Sequence, residues 1–406
     1  MTCSTTDFST THPPTLPRGT RWVLLGMYGV MCVMSVALLR SPGVMPAGNE
    51  LSLERAVFGA VNVCTLTGFP TTTGQHDLRP AGQLIVTVLT LGATLLVLAV
   101  GALGVNRWTE ARCCERRLML GVVGTVMLGL LLGTIGLMIS GVDTLQAAKL
   151  SLAALSNTAG VSGVPGATDW RLHALLLPLM LAGGLGTVVL LQMFDALRGR
   201  GRLSGFSRVA LTSTALVYVV AMGLILMLMW MSRTDLPVTE ALASASVNAV
   251  NARGTGWSVE PLSGLPRAVQ GALMGLMSVG AVVGGTAGGI GLLTLYAIGA
   301  GARATLAGRI APRATGFALL WLGAFIVTVF VTFLILLATE STLAPDRVLF
   351  LSVAAVSNVG MSHEPLSITG TGLWTLSLAM LVGKFLPLAL LLGVTKIEAG
   401  QHVLMK

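Results

Sequence analysis

The stretch Val63-Cys64-Thr65-Leu66-Thr67-Gly68-Phe69-Pro70-Thr71 sets a Thr/Gly run between a short apolar segment and a long one. Polar backbone at membrane depth is tolerated only where protein or a water-filled pathway surrounds it, so the run reads as a loop at a pore or cavity. Three later stretches repeat the arrangement: Ser156-Asn157-Thr158-Ala159-Gly160-Val161, Asn251-Ala252-Arg253-Gly254-Thr255-Gly256-Trp257 and Val356-Ser357-Asn358-Val359-Gly360-Met361. Each ends a short, weakly apolar segment that follows one of spanning length.

The surrounding composition agrees. The 406 residues are 54% hydrophobic and only 10% charged, with mean hydropathy +0.84, against a charged share of about 25% in soluble domains. This is the composition of an integral membrane protein. A spanning helix needs about 20 mostly apolar residues. Residues 22–39, 81–105, 118–141, 174–194, 209–231, 268–302 and 314–339 qualify as uncharged runs, and 366–395 is an eighth, interrupted by Lys384. Between the members of each successive pair lie 51–63, 144–156, 238–250 and 343–356, too short to cross and charged near their starts, as re-entrant helices are where they leave the interface.

The expected fold is therefore an all-α integral membrane protein of four tandem helix–pore-helix–helix repeats, with eight transmembrane helices and four re-entrant pore loops around a pseudo-fourfold pore. Gly68, Gly160, Gly256 and Gly360 stand 92, 96 and 104 residues apart, the near-constant period of internal duplication. The repeats are assigned to 21–110, 111–203, 204–305 and 306–406, the last with a short C-terminal tail. Residues 1–20 read as a cytoplasmic tail, because Met1 to Arg18 lacks the basic and apolar regions of a signal peptide.

Charge supplies the orientation. The termini and even-numbered connections hold 15 Lys and Arg against 5 acidic residues, while the opposite face holds 9 against 11. The positive-inside rule puts both termini in the cytoplasm and the four loops in the outer half. The net charge of +9 is thereby explained as topology, without a nucleic-acid partner. Cys3, Cys32, Cys64, Cys113 and Cys114 show neither metal-ligand spacing nor a disulfide framework, and read as inert thiols. His76, His173 and His363 flank the loops without a second ligand, so no transition-metal site is expected. His12 and His402 lie in the tails. No phosphate-binding loop or catalytic triad occurs, and the chain reads as no enzyme, without a cofactor of its own.

A dehydrated cation needs closely spaced oxygens, typically rings of backbone carbonyls. Glycine lets a loop turn its carbonyls toward an axis in conformations that a Cβ opposes, and each half-helix points its partly negative C-terminal end inward. Thr65, Thr67, Thr158 and Thr255 add hydroxyls or brace the loops. No loop carries Asp or Glu, which fits a monovalent ion. The bland alternative is a set of Gly-rich turns serving as small-residue packing surfaces.

These loops resemble those of the Trk/Ktr/HKT superfamily of potassium transporters, over about residues 21–395. Gly284-Gly285-Thr286-Ala287-Gly288-Gly289-Ile290 is similar to that family's Ser-Thr-Ala-Gly-Gly-Ile-Lys segment, and Gly383-Lys384-Phe385-Leu386-Pro387-Leu388 to its Gly-Arg-Leu-Gly-Pro-Leu segment. In size the chain is closest to the Ktr membrane (KtrB-type) subunit. The resemblance implies a K+ filter of carbonyls from Leu66, Thr67 and Gly68; Thr158, Ala159 and Gly160; Gly254, Thr255 and Gly256; and Asn358, Val359 and Gly360.

A second device lies in 268–302. Residues 280 to 291 hold six glycines, each disfavouring helix by about 1 kcal/mol, so this run is expected to break; a tilted helix with a glycine packing face is the alternative. The resemblance implies an intramembrane gate of Gly284, Gly285, Thr286, Ala287, Gly288 and Gly289, with Lys384 beside it repelling cations. An intramembrane charge normally faces the protein interior or water, and Lys384 could instead snorkel to the cytoplasmic interface. Also implied are a homodimer in the bacterial inner membrane and a cytosolic nucleotide-binding regulatory ring of the TrkA/KtrA type. Three departures stand out: Gly291 replaces the family Lys, Gly254-Thr255 replaces Thr-Ala, and Val161 and Met361 replace larger residues. The expected function is K+ uptake. The alternatives are a Na+-permeable or weakly selective cation pathway and, in another class, a non-conducting scaffold or a coupled solute transporter using the broken helix as its site.

Overall fold

The computed structural model describes residues 19–46, 51–70, 78–108, 114–232, 236–257, 259–363 and 368–393. The expectations placed on residues 1–18, Thr71, His76, Cys113 and 394–406 lie outside them. Every regular element among the described residues is helical. Besides a π-helical turn (Leu172–Leu176) and a 3-10 turn (Leu262–Gly264), the α-helices in chain order are α1 (Gly19–Leu39), α2 (Leu53–Cys64), α3 (Pro80–Trp108), α4 (Glu115–Ile139), α5 (Thr144–Ser156), α6 (Leu177–Leu185) and α7 (Thr187–Leu197). There follow α8 (Gly205–Ser232), α9 (Val238–Asn251), α10 (Arg267–Val279), α11 (Leu292–Leu306), α12 (Arg313–Thr339), α13 (Pro345–Val356) and α14 (Thr371–Gly393).

Five of these helices, α3, α4, α8, α12 and α14, are long and apolar enough to cross a membrane. Of the other runs expected to span, 22–39 forms α1, apolar over Gly26–Leu39. The remaining two are interrupted. Residues 174–194 divide at Gly186, where α6 and α7 meet at 108°, and α10 stops at Val279, thirteen residues before α11 starts at Leu292. Gly186 holds φ +78° and Gly280, just after α10, φ +68°, conformations that glycine reaches without the penalty a Cβ brings.

The short helices have local reasons to start where they do. Asp143 caps α5, its carboxylate accepting from Leu145 N at 3.0 Å and Gln146 N at 3.3 Å, and so satisfies two of the N–H groups that a helix start leaves unpaired. Pro345 opens α13, where its missing N–H is not needed. Each short helix packs on the long helix before it: α2 on α1, α5 on α4, α9 on α8 and α13 on α12. The last helix, α14, also packs on α2 and α3, bringing the end of the chain back to its beginning.

The outer surface is apolar, unlike that of a water-soluble bundle, and polar side chains gather inside among the apolar core. Leu131, Ile139, Val219, Trp230 and Phe330 are exposed on the outside, while Thr67, Ser156, Asn157, Thr255, Ser357, Asn358 and Lys384 are buried at the centre. Lipid tails are as apolar as Leu, so helix association in a bilayer rests on packing and on hydrogen bonds between polar groups. The loops that end the short helices supply such bonds.

Candidate functional site

The four loops after α2, α5, α9 and α13 meet at the buried centre. In the first, Thr67 N donates to Asn62 O at 3.0 Å; in the second, Thr158 N to Ala153 O at 3.0 Å; in the fourth, Val359 N to Ala354 O at 3.0 Å. In all three the residue before this donor is left-handed: Leu66 at φ +59°, Asn157 at +53° and Asn358 at +51°. The third loop is one residue shorter: Gly256 itself donates to Asn251 O at 3.0 Å. These bonds take up carbonyls that a helix C-terminus leaves unpaired, and they wind each helix end inward.

Three glycines then bring the loops into contact. A Cβ on Gly360 would collide with Thr67 O and lie 2.9 Å from Gly68 C, and one on Gly256 would collide with Val359 O and lie 3.0 Å from Met361 N. On Gly68 it would strike Ala159 N and approach Thr158 Oγ1 at 2.5 Å. Loop three thus abuts loop four, four abuts one, and one abuts two. All three glycines also hold positive φ, +78°, +71° and +70° for Gly68, Gly256 and Gly360. At these positions no amino acid other than glycine can combine that conformation with that proximity. The circle closes through side chains: Thr255 Oγ1 donates to Asn157 Oδ1 at 3.0 Å and Trp257 Nε1 to Thr158 O at 2.8 Å.

The second loop differs from the landmark spacing. Counted from the backbone bond to Ala153, Ala159 stands where Gly68 and Gly360 stand, and Gly160 falls one position later, inside a turn closed by Val161 N donating to Ala159 O at 2.7 Å. One residue more in this loop shifts the register. The structure brings Leu66 to Gly68, Thr158 to Gly160, Gly254 to Gly256 and Asn358 to Gly360 into one cluster, with Gly160 N 2.6 Å from where a Cβ on Gly68 would lie and Thr158 O facing the Trp257 indole.

Four asparagines brace the loops in two ways. Asn62 and Asn251 clip their own loops: Asn62 donates to Phe69 O at 3.0 Å and accepts from Phe69 N at 2.8 Å, and Asn251 does the same to Trp257 at 2.5 and 2.6 Å. Asn157 and Asn358 reach outward instead. Asn157 Nδ2 donates to Met180 O at 3.0 Å and Thr286 Oγ1 at 2.8 Å, and Asn358 Nδ2 to Met380 O at 2.9 Å and Thr67 Oγ1 at 3.0 Å. Asn62 escaped the sequence reading, since a partner seven residues away leaves no periodic signal.

Beneath the loops lies the segment between α10 and α11. It folds back on α10, with Ile290 N donating to Ser278 O at 2.8 Å and Gly291 N to Val279 O at 3.0 Å. It also seats in the α6–α7 break, where Thr286 N donates to Gly183 O at 3.0 Å and Val282 N to Gly184 O at 3.2 Å. Gly186 and Gly284 meet there so closely that a Cβ on Gly186 would lie 2.8 Å from Gly284 O. From above, Ala287 lies against Gly254, and Gly288 against Ser357 O. Lys384, 4% exposed, donates from Nζ to Thr286 O at 2.5 Å, so its ammonium is turned inward. Arg253, equally buried, donates from Nε to Gly280 O at 3.1 Å, a cation set on the negative end of α10.

Four negative helix ends and a dense set of backbone oxygens, with no carboxylate in the loops, favour a monovalent cation at the centre. The candidate histidines are engaged elsewhere: His173 Nε2 with Ala167 O at 2.7 Å and His363 Nε2 with Gln270 Oε1 at 2.9 Å. Among the described residues no three His, Cys, Asp or Glu side chains gather as metal ligands.

No family profile and no curated protein sequence matches this chain. Among solved structures, the fold is similar to the crystal structure of the potassium transporter TrkH from Vibrio parahaemolyticus. The TM-score is 0.75 at 15% identity, over 95% of this chain and 86% of that one. The likeness read from short loop motifs thus extends to the arrangement of the helices over nearly the whole chain.

Proposed function

We propose that this chain carries K+ across a membrane through the crossing of its four loops. The observation that carries the reading is the sequence of glycine contacts from loop three to four, four to one and one to two, which brings carbonyl-bearing backbone together where side chains would hold it apart. The chain is then four repeats around one pore. Its filter carbonyls come from Leu66, Thr67 and Gly68; Thr158, Ala159 and Gly160; Gly254, Thr255 and Gly256; and Asn358, Val359 and Gly360. The segment Gly284–Gly289 lies across the path below them, and Lys384 holds it there through Thr286 while adding a positive charge that opposes a passing cation. Transport of this kind needs no covalent chemistry.

The TrkH-like fold and the excess of basic residues on one face support a multi-pass protein of the bacterial inner membrane with cytoplasmic termini, a homodimer, and a TrkA/KtrA-type ring as its cytosolic regulator. A weakly selective pathway, passing Na+ as well, is the second reading. It is favoured by the unequal loops: the third is one residue short, and the second places Ala159 where two others place glycine.

Uptake of K+, Rb+ and Na+ into proteoliposomes, with wild type beside Gly256→Ser, tests both. Potassium-preferring flux that the substitution degrades supports the leading reading, and equal K+ and Na+ flux supports the second. No flux of any cation, even after deletion of residues 287–290, overturns both.

A further inference from the structure

Thirty-two residues apart in sequence, Cys32 and Cys64 meet where α1 packs on the first short helix. Tyr28, Cys32 and Ser35 follow one another at helical spacing and form one stripe of α1. The two members flanking Cys32 both touch Cys64: Tyr28 Oη donates to Cys64 O at 2.8 Å, and Ser35 Oγ lies 3.5 Å from Cys64 Sγ. Cys32, between them on the same stripe, packs against the buried cluster that holds Tyr28, Cys64 and Leu66. Cys64 is fully buried as the last residue of α2, two positions before the left-handed Leu66. Cys32 is partly exposed and lies beside Val30, Val33 and Met34, which face outward at 63%, 70% and 53% exposure.

We propose that Cys32 and Cys64 are a redox pair, oxidised by a hydroperoxide to a disulfide that ties the first pore helix to α1 and restrains the first loop. Cys32 is the sulfur that a small uncharged oxidant reaches from the bilayer. Its thiol attacks the peroxide, the O–O bond breaks, an alcohol or water leaves, and Cys32 becomes a sulfenic acid. The Cys64 sulfur then attacks the Cys32 sulfur, the S–O bond breaks, and the hydroxyl leaves with the Cys64 proton as water. Two thiols and one hydroperoxide give one disulfide, one water and one alcohol or second water. The two electrons pass from sulfur to peroxide oxygen, and a dithiol reductant reverses the step.

The covalent step stands on the geometry of α1 and α2 alone, whereas its effect on transport rests on the proposed function. The full chain in proteoliposomes is treated with hydrogen peroxide, digested without reduction and read by mass spectrometry, with rubidium flux measured before oxidation, after it and after dithiothreitol. The expected result is a linked Cys32–Cys64 peptide with flux reduced about tenfold, the factor given by a bias of roughly 1.4 kcal/mol between two states. Dithiothreitol restores the flux, and Cys32→Ser conducts like the untreated protein and resists peroxide.

Absence of the linked peptide overturns the pairing, as does an equal loss of flux in Cys32→Ser, which would place the oxidation elsewhere. A linked peptide with unchanged flux overturns the restraint. A wild type that forms the linked peptide but never conducts would count against the transport reading instead, leaving the pairing intact. Cys64→Ala, should it fold, gives the same answers as Cys32→Ser from the buried side.

Discussion

The first and third loops differ from the second and fourth in what holds them. Asn62 and Asn251 sit in the last turn of their helices and bind the residue that closes their own loop. Asn157 stands one step beyond its helix and Asn358 two, both in left-handed backbone, and they bind other parts of the chain. Two loops are therefore shaped from within and two by their neighbours. Of these four asparagines only the second pair passes a movement outside the loop to it directly, and Asn157 is tied to Thr286 of the segment below.

The most severe way to break this comparison is Gly360→Ala. Its Cβ meets Thr67 O, and positive φ adds about 1–3 kcal/mol of strain, so flux falls to background and the solubilised protein loses thermal stability. Gly160→Ala, one position beyond the Ala159 that holds the place of glycine in the first and fourth loops, retains most of its flux; equal damage from both would restore the four glycines to one role. Next in size is Asn157→Ala, which removes the acceptor of Thr255 Oγ1 and a donor to Thr286 Oγ1. Each buried group left unpaired costs about 1–3 kcal/mol, and the loosened segment raises basal flux in proteoliposomes.

Asn62→Ala has a similar cost in stability but a different signature. It frees Phe69 N and O within one loop, so the K+ to Na+ flux ratio falls while basal flux is little changed. If Asn62→Ala opened the pathway and Asn157→Ala altered only the ratio, the division into self-shaped and neighbour-shaped loops would be reversed. The smallest effect is a control remote from both kinds. The Arg171 guanidinium beside Asp169 holds that carboxyl below its ordinary range, so the pair adds stability above the usual carboxylate pKa and loses it as pH falls through the lowered one. Solvent screens this partly exposed pair. Asp169→Asn therefore shifts the melting temperature little at neutral pH, and the difference from wild type disappears in acid.

The sequence exposed features that depend on what a residue lacks. Gly68, Gly256 and Gly360 could be read because close approach forbids a Cβ, and the glycine-dense 280–291 because glycine cannot sustain a helix there. Features that depend on what a residue reaches were hidden. The Asn62 clip and the packing of Cys32 against the Cys64 cluster join positions whose separation only the folded chain defines, and Lys384 was placed beside Thr286 by the resemblance and not by the residues themselves. The bend at Gly186 was hidden for another reason: 174–194 is apolar throughout, and its three glycines read equally well as a packing face until Gly284 is seen against them. The offset of Gly160 escaped because a one-residue shift leaves the spacing of the landmarks almost unchanged.

The seam between that bend and the segment below it also has a consequence in time. Gly183 O and Gly184 O, left over where α6 stops, are satisfied by Thr286 N and Val282 N. When the seam parts, all four groups need new partners at once, in a region where unpaired backbone is heavily penalised. Half-open positions are therefore the least stable ones. If the chain conducts as proposed, dwell times should fall into two well-separated classes, with water entering in the same step that frees the segment, and single-channel records should show abrupt openings of fixed size in place of a graded drift.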